Sequence, residues 1–458
     1  MKVVICGTGQ VGWQIARHLA REKNDVSVID QNAEVVRRAI DTLDVTGHVG
    51  FASHPEVLER AGARDADMII AATHSDEVNM VACQVAHSVF GVPRKIARVR
   101  SAAYLDPGWS DIFRRDHMPI DVVISPELEV AEAALRRLSA PTAFENQSFF
   151  DGRVHFLGIA LDEDCPVLET PLRQLTELFV SLRAIVGGVQ RGERIFVPTP
   201  DDQLFAGDRI YVFTHYEDTL RTLEIFGRPA KPQERVVIIG GGNVGLAVSQ
   251  ALERGPHKIR VRLIERSRAA AERAADALAR TVVMYGDGLS SEILEEAGIE
   301  QADAILALTD DDKTNILAAV RGKMAGAGMS IALINDPSLL PLIAELDVDA
   351  QINPRATTVS SILRHIRHGR VRGVYSIGDG EAEVLEVQVL STSPIAGKLI
   401  RDAEIPAGAI IGGVLKPSGP VKPYGDTRID VGDLVLFFAL ARDVPGVESL
   451  LQVSIDYF

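Results

Sequence analysis

Val3-Val4-Ile5-Cys6-Gly7-Thr8-Gly9-Gln10-Val11-Gly12 returns later in the chain as Val236-Val237-Ile238-Ile239-Gly240-Gly241-Gly242-Asn243-Val244-Gly245. Each copy is a short, β-branched apolar run followed at once by the pattern G-x-G-x-x-G. Three such glycines could simply serve turns. Here they directly follow a strand pattern and open a helical one (Val11 to Arg21 in the first copy), as a dinucleotide-binding fingerprint requires. The first glycine permits a tight turn, the second lets backbone approach a pyrophosphate, and the third packs helix on strand. The helix start then offers free N–H groups and a positive dipole end to phosphate.

The repetition continues in order, which is far more specific than one glycine motif. Val26-Ser27-Val28-Ile29-Asp30 answers Val261-Arg262-Leu263-Ile264-Glu265, and Leu58 to Gly62 answers Leu294 to Gly298. Ala66 to Thr73 answers Ala302 to Thr309, and Asp76 and Asn79 answer Asp312 and Asn315. A different repeat follows each of these segments: Leu204 to Phe213 reads like Ile429 to Phe437, a Gly-Asp turn entering an apolar strand. The organisation is A-B-A-B. Each A segment alternates short strands with helices and predicts a doubly wound parallel α/β sheet of Rossmann type over 1–123 and 233–352. Each B segment, over 141–226 and 371–454, predicts a small α+β module. Connecting helices are expected over 124–140 and 356–370, and Gly227-Arg228-Pro229-Ala230-Lys231-Pro232 reads as a linker.

Composition narrows the function. The 458 residues are 46% hydrophobic and 24% charged, enough for several folded domains. A net charge of -15 argues against nucleic acid as partner, since phosphate neutralisation needs a concentrated basic surface. Cys6, Cys83 and Cys165 are scattered without metal or redox spacing, which suits a reducing compartment. No secretory signal and no apolar run long enough to cross a bilayer are visible, so any action at a membrane requires a partner that spans it.

Asp30 closes the second strand 18 residues past Gly12, and Glu265 stands 20 past Gly245, near the spacing of a ribose-binding acid. Such a carboxylate accepts from both ribose hydroxyls and repels a 2′-phosphate. It favours NAD over NADP but does not separate NAD from ATP or ADP. The alternative for Asp30 is a solvated strand-end acid. Arg98 and Arg100, in Ile96-Ala97-Arg98-Val99-Arg100, are expected to alternate on one strand face, either gripping phosphate or adding surface charge. The second half has Ile331-Ala332-Leu333-Ile334-Asn335 there, so its phosphate grip should differ. Gly286-Asp287 could contact adenine or ribose, whereas the matching Gly50-Phe51 lacks the acid. Thr73 and His74, at the carboxyl edge of the fourth strand, are read as ligand neighbours or as the approach to a helix cap at Ser75 or Asp76. Asp310 to Asp312 reads as a helix-start charge cluster more than a cation site, and no metal is assigned. Arg364 to Arg370, with His365 and His368, reads as a solvated basic helix end or as a contact for an acidic partner.

These motifs, together with Ser53-His54-Pro55, Asp76 to Gln84 and Ile96 to Ser101, resemble the TrkA family: regulatory subunits of bacterial Trk potassium uptake systems, built from two tandem RCK units. The resemblance covers essentially the whole chain. It implies an N-terminal Rossmann and a C-terminal α+β domain per unit, and a homotetrameric ring on the cytoplasmic face of the inner membrane under a TrkH-type channel. NAD(H), ATP or ADP in the N-terminal clefts would shift the ring's shape. The candidate cofactor-binding residues are Gly7, Gly9, Gln10, Val11, Gly12, Asp30, Thr73, His74 and Arg98, then Gly240, Gly242, Asn243, Val244, Gly245, Glu265, Gly286 and Asp287. His74 stands where a small polar residue is expected of the family. The rivals are an NAD-dependent oxidoreductase and a regulator of a different transporter. An oxidoreductase should carry a substrate domain with a placed acid or base. No such pairing stands out here, and no catalytic residue is assigned.

Overall fold

The computed structural model describes the chain except residues 22, 256–257, 340–342, 344, 347, 367–370, 378–379 and 452–458. Strands β1 (Lys2–Cys6), β2 (Asp25–Asp30), β3 (Thr46–Val49), β4 (Met68–Ala71), β5 (Arg94–Arg98) and β6 (Val122–Ile124) form a parallel sheet in the order β3-β2-β1-β4-β5-β6. Strands β7 (Glu145–Phe149), β8 (Val154–Ala160), β9 (Ala184–Arg191), β10 (Arg194–Phe196) and β11 (Arg209–His215) form an antiparallel sheet, β10-β9-β11-β8-β7. The pattern then repeats. Strands β12 (Arg235–Ile239), β13 (Arg260–Glu265), β14 (Val282–Tyr285), β15 (Ala304–Ala307), β16 (Met329–Leu333) and β17 (Ala350–Ile352) lie parallel as β14-β13-β12-β15-β16-β17. Last come β18 (Val371–Ile377), β19 (Ala382–Gln388), β20 (Ala409–Lys416), β21 (Gly419–Val421) and β22 (Leu434–Leu440), antiparallel as β18-β19-β22-β20-β21.

Two α/β domains of Rossmann type, each followed by an antiparallel module, therefore succeed one another along the chain. In space, like joins like. One compact unit comprises Met1–Ala134 with Glu234–Leu363, and the other Leu135–Gln233 with Arg364–Phe458.

In the first unit the central strands β1, β4, β12 and β15 are almost continuously buried, as parallel strands covered by crossover helices must be. Ile5, Ile69 and Ile70 are wholly enclosed, each stabilising the fold by roughly 2 kcal/mol through apolar burial. Both sheets reverse their winding between the first and fourth strands. That switch point opens a crevice at the strands' carboxyl ends.

In the second unit, Phe156, Phe213 and Phe438 meet in one apolar core shared by the two antiparallel sheets. Gly188 is kept bare by the Phe438 ring, which a Cβ there would strike. The Phe150 amide donates to Glu386 Oε2 at 2.8 Å.

Two readings shift against the structure, and a third lies outside what it describes. β5 ends at Arg98, so Arg98 and Arg100 do not alternate on one strand. The cause is Asp76, whose Oδ2 accepts the amides of Arg100 and Ser101 at 3.0 and 2.8 Å and turns them out of the ladder. The helices expected over 124–140 and 356–370 run Pro126–Ser139 and Pro354–Ile366, each with proline at its start, where a missing N–H costs nothing. Residues 367–370 of the basic stretch, His368 included, lie outside the described residues.

Candidate functional site

β1 delivers the chain to Gly7, whose φ of +92° belongs to the region that glycine enters without strain. Its amide donates to Ile29 O at 2.8 Å, fixing the loop to β2. A side chain at Gly7 would also stand 2.9 Å from the Thr73 backbone. A Cβ on Gly12 would collide with Gly7 O, so the third glycine exists for packing. Gly9 differs. The nearest protein atom to a Cβ there would be His74 Nε2 at 3.9 Å, so nothing inside the fold demands glycine at this point.

Asp30 ends β2 beneath this loop. Its Oδ2 accepts the Thr8 amide at 2.7 Å and its Oδ1 the Asn32 amide at 3.0 Å. Each carboxylate oxygen can accept about two hydrogen bonds, so one position on each is left for a ligand.

Across the switch point, Asn79 is wholly buried and holds the ends of β4 and β5 together. Its Oδ1 accepts from Thr73 N at 2.8 Å and Thr73 Oγ1 at 2.7 Å, while Nδ2 donates to Thr73 O at 3.3 Å and Arg98 O at 2.9 Å. Ser75 caps the helix Asp76–Ser88 through Val78 N. Ser75 is therefore the cap, and Thr73 and His74 stand on the cleft.

The cleft is a cavity of about 780 Å³. Gly7, Gly9, Gln10, Val11, Asp30, Thr73, His74 and Arg98 line it; among the first-half candidates Gly12 alone lies behind it, against Gly7. Arg100 lines it too, beyond the strand end, with its Nε on Glu127 Oε1 at 3.3 Å. Among the described residues Arg98 Nε is buried without a partner, and burial, then the Arg100 charge, push its guanidinium below the usual arginine range. From the second half, Pro354, Arg355 and Thr358 complete the wall.

The second half repeats the machinery. Gly240 has φ +105°, and a Cβ on Gly245 would collide with Gly240 O. Glu265 Oε2 accepts the Gly241 amide and Oε1 the Ser267 amide, each at 2.6 Å. Gly242 is open, with no heavy atom within 4 Å of a Cβ, and Asn243 and Val244 begin the helix Asn243–Arg254. Asn315 repeats Asn79, bonding Thr309 N at 2.8 Å, Thr309 Oγ1 at 2.7 Å and Leu333 O at 2.9 Å. Asp311 caps the next helix through Thr314 N at 2.9 Å, and Asp312 accepts the Asn335 and Asp336 amides, so two of the three acids are structural. Gly286 is glycine for a packing reason, because a Cβ would stand 2.7 Å from Ile293 Cδ1. One Asp287 oxygen already accepts the Leu289 amide at 2.9 Å.

Asn79, Asp76 and Arg355 carry positioning or lining roles that the residue patterns did not assign. The first two had a signal, their recurrence as Asn315 and Asp312. Arg355 had none.

Glycine loop, strand-end acid, half-buried arginine and an open cavity at the switch point fit a nucleotide. The class so defined is a duplicated dinucleotide-fold protein with an antiparallel companion module after each copy. TrkA-N domain models match residues 3–126 and 236–354, and TrkA-C domain models match 156–227 and 384–452. The Trk system potassium uptake protein TrkA of Azorhizobium caulinodans is 47% identical over 458 residues, covering 100% of both chains. That of Halomonas elongata is 36% identical over 462 residues, again 100% of both. The chain belongs to this TrkA family of potassium uptake proteins. The crystal structure of the GsuK RCK domain shares the fold at 17% identity, with a TM-score of 0.58 over 98% of this chain and 94% of that one. The GsuK channel bound to NAD does so with a TM-score of 0.59 over 98% and 78%.

Proposed function

We infer that this chain is a nucleotide-binding regulatory subunit of a Trk-type potassium uptake system, and that it acts through a membrane-spanning channel of TrkH type. Among the described residues no helix is long and apolar enough to cross a membrane, so the proposed output needs such a partner. The observation that carries the reading is the first cleft, where a glycine loop with room only on its cavity side faces Asp30 and the unpartnered Arg98 Nε. NAD(H), ATP or ADP is the proposed ligand, its phosphates against Gly9, Gln10 and the Arg98 guanidinium and its ribose against Asp30. In the second cleft Gly240, Gly242, Asn243, Val244, Gly245 and Glu265 would do the same work, with Gly286 and Asp287 at its margin. The working assembly is proposed to be a homotetrameric ring on the cytoplasmic face.

The mechanism is allosteric. A ligand moves an equilibrium only by its differential affinity for two states. Contacts made on both walls of the first cleft supply such a difference, because one wall belongs to each half of the chain. The test is potassium flux through a reconstituted TrkH-type channel, with and without this subunit, while NADH, ATP and ADP are varied. Flux should depend on both. Flux indifferent to subunit and nucleotide, with stoichiometric oxidation of NADH by some carbonyl substrate, would replace this reading with a dehydrogenase.

A further inference from the structure

The wall supplied by the second half has a chemistry of its own. Pro354-Arg355 occupies in the second half the place that Pro126-Glu127 occupies in the first, each pair opening the helix after the last parallel strand. In the first half Glu127 is mostly buried and neutralises Arg100. Its counterpart Arg355 lines the first cleft instead. Among the described residues its guanidinium has no hydrogen bond or ion pair within 4 Å, and it reaches Asp336 only as a weaker, more distant charge. Its helix is tethered beside the cleft by Ser361 Oγ, which donates to Glu129 Oε1 at 2.7 Å.

Arg98, Arg100 and Arg355 thus bring three guanidinium groups to one cavity of an otherwise acidic protein, while among the described residues Asp30 is the one carboxylate on its lining. Register gives the second half no such set. Leu333 replaces Arg98 at the end of β16. Asn335 replaces Arg100, since Asp312 accepts its amide as Asp76 accepts that of Arg100. Glu127 stands where Arg355 would. Glu127 already offsets Arg100, but Arg98 and Arg355 have no carboxylate within 4 Å among the described residues, and such planar guanidinium groups suit terminal phosphate oxygens.

We propose that Arg355, with Arg98 and Arg100, forms a subsite for the terminal phosphates of a nucleoside di- or triphosphate, so that such a ligand is gripped by both halves of the chain. The inference rests on the nucleotide reading of the first cleft and adds a discrimination to it. Nucleotides should be ranked there by phosphate charge, and only those that reach Arg355 should tie the helix Pro354–Ile366 to the glycine loop.

The experiment is calorimetric titration of the full chain with ATP, ADP and AMP, in the wild type, Arg355→Met and Arg355→Lys. Arg355→Met should weaken ATP by about tenfold or more while AMP stays within about twofold, and Arg355→Lys should recover part of the loss. Unchanged AMP binding shows that the cleft is still folded. If Arg355→Met leaves the ATP-to-AMP affinity ratio at its wild-type value, the subsite is wrong while the nucleotide reading stands. If the wild type binds none of the three and no NAD, the reading of the cleft itself falls, and the subsite with it. A second measurement needs no variant: ATP, but not AMP, should slow amide hydrogen exchange across 354–366. Equal protection by both would overturn the proposal.

Discussion

The Thr8 amide lies 2.7 Å from Asp30 Oδ2, and the Gly241 amide lies 2.6 Å from Glu265 Oε2. In both halves the acid proposed to receive a ribose is also the acid that holds the glycine loop in shape. On that proposal binding and loop geometry share one carboxylate.

Asp30→Ala should show both losses. A ribose acceptor disappears, which should weaken first-cleft binding of NAD or adenine nucleotide by about tenfold to a hundredfold. The buried Thr8 loses the acceptor of its amide, which should destabilise the fold by about 1–3 kcal/mol. Calorimetry and thermal unfolding check the two separately. Unchanged affinity in a folded variant, with the second cleft silenced, would show that Asp30 serves the loop alone.

Asn79 makes a sharper case, because its side chain reaches no ligand in any reading. Replacing it with the similarly sized leucine leaves Thr73 N and the Thr73 and Arg98 carbonyls short of partners beside a buried apolar group. Asn79→Leu should destabilise by about 2–4 kcal/mol and, by freeing the end of β5, weaken nucleotide binding as well. Denaturant unfolding followed by titration measures both. Stability lost with affinity intact would separate the Asn79 network from the cleft.

The sheets and the glycine loops were readable because they are local: an apolar run, a turn and an amphipathic helix each state their geometry within about ten residues. Recurrence of the same words from Val236 onward multiplied that signal. What was not readable depends on partners far away in sequence. Arg100 looked like strand because Ile96, Arg98 and Arg100 alternate with Ala97 and Val99, yet Asp76 takes its amide out of the sheet. Asp30 looked free for ribose because nothing local shows the Thr8 amide turned toward it. Gly286 looked like a ligand glycine, whereas Ile293 supplies a packing reason for it. Arg355 carried no mark at all, since only the meeting of the two halves puts it on the first cleft.

His155, on β8, links the fold of the second unit to pH. Its Nδ1 is 3.0 Å from Thr219 Oγ1, and burial, then the nearby Arg136 and His215 charges, push it from 6.5 down to about 4. The folded state thus keeps this ring neutral down to about 4, while the unfolded chain protonates it below 6.5. The unfolded state binds more protons in that window, so stability present above it is lost as pH falls through it. The loss should reach as much as ~3 kcal/mol. His155→Gln should flatten this part of the profile, and the difference between the two curves isolates it from the carboxylates. Parallel curves would mean that the ring titrates alike in both states.

The last prediction separates the two clefts. A valine at Gly9 would meet no protein atom closer than His74 Nε2 at 3.9 Å from its Cβ, and one at Gly242 would meet none within 4 Å. Both variants should fold with stability close to the wild type, as exposed positions usually allow. Gly12→Ala should not, because its Cβ must collide with the carbonyl oxygen of Gly7. If phosphate approaches the backbone at the second glycine, Gly9→Val should remove first-cleft binding and leave the second, and Gly242→Val should do the reverse. The arginines give the two losses different signatures, since only the first cleft has Arg98. ATP binding should therefore suffer most from Gly9→Val. Titration of each single variant and of the pair reads this directly, with thermal unfolding as the control for folding. Loss of every binding event from Gly9→Val alone would mean that the clefts are not separate sites. Full binding in the double variant would place the nucleotide somewhere other than the glycine loops.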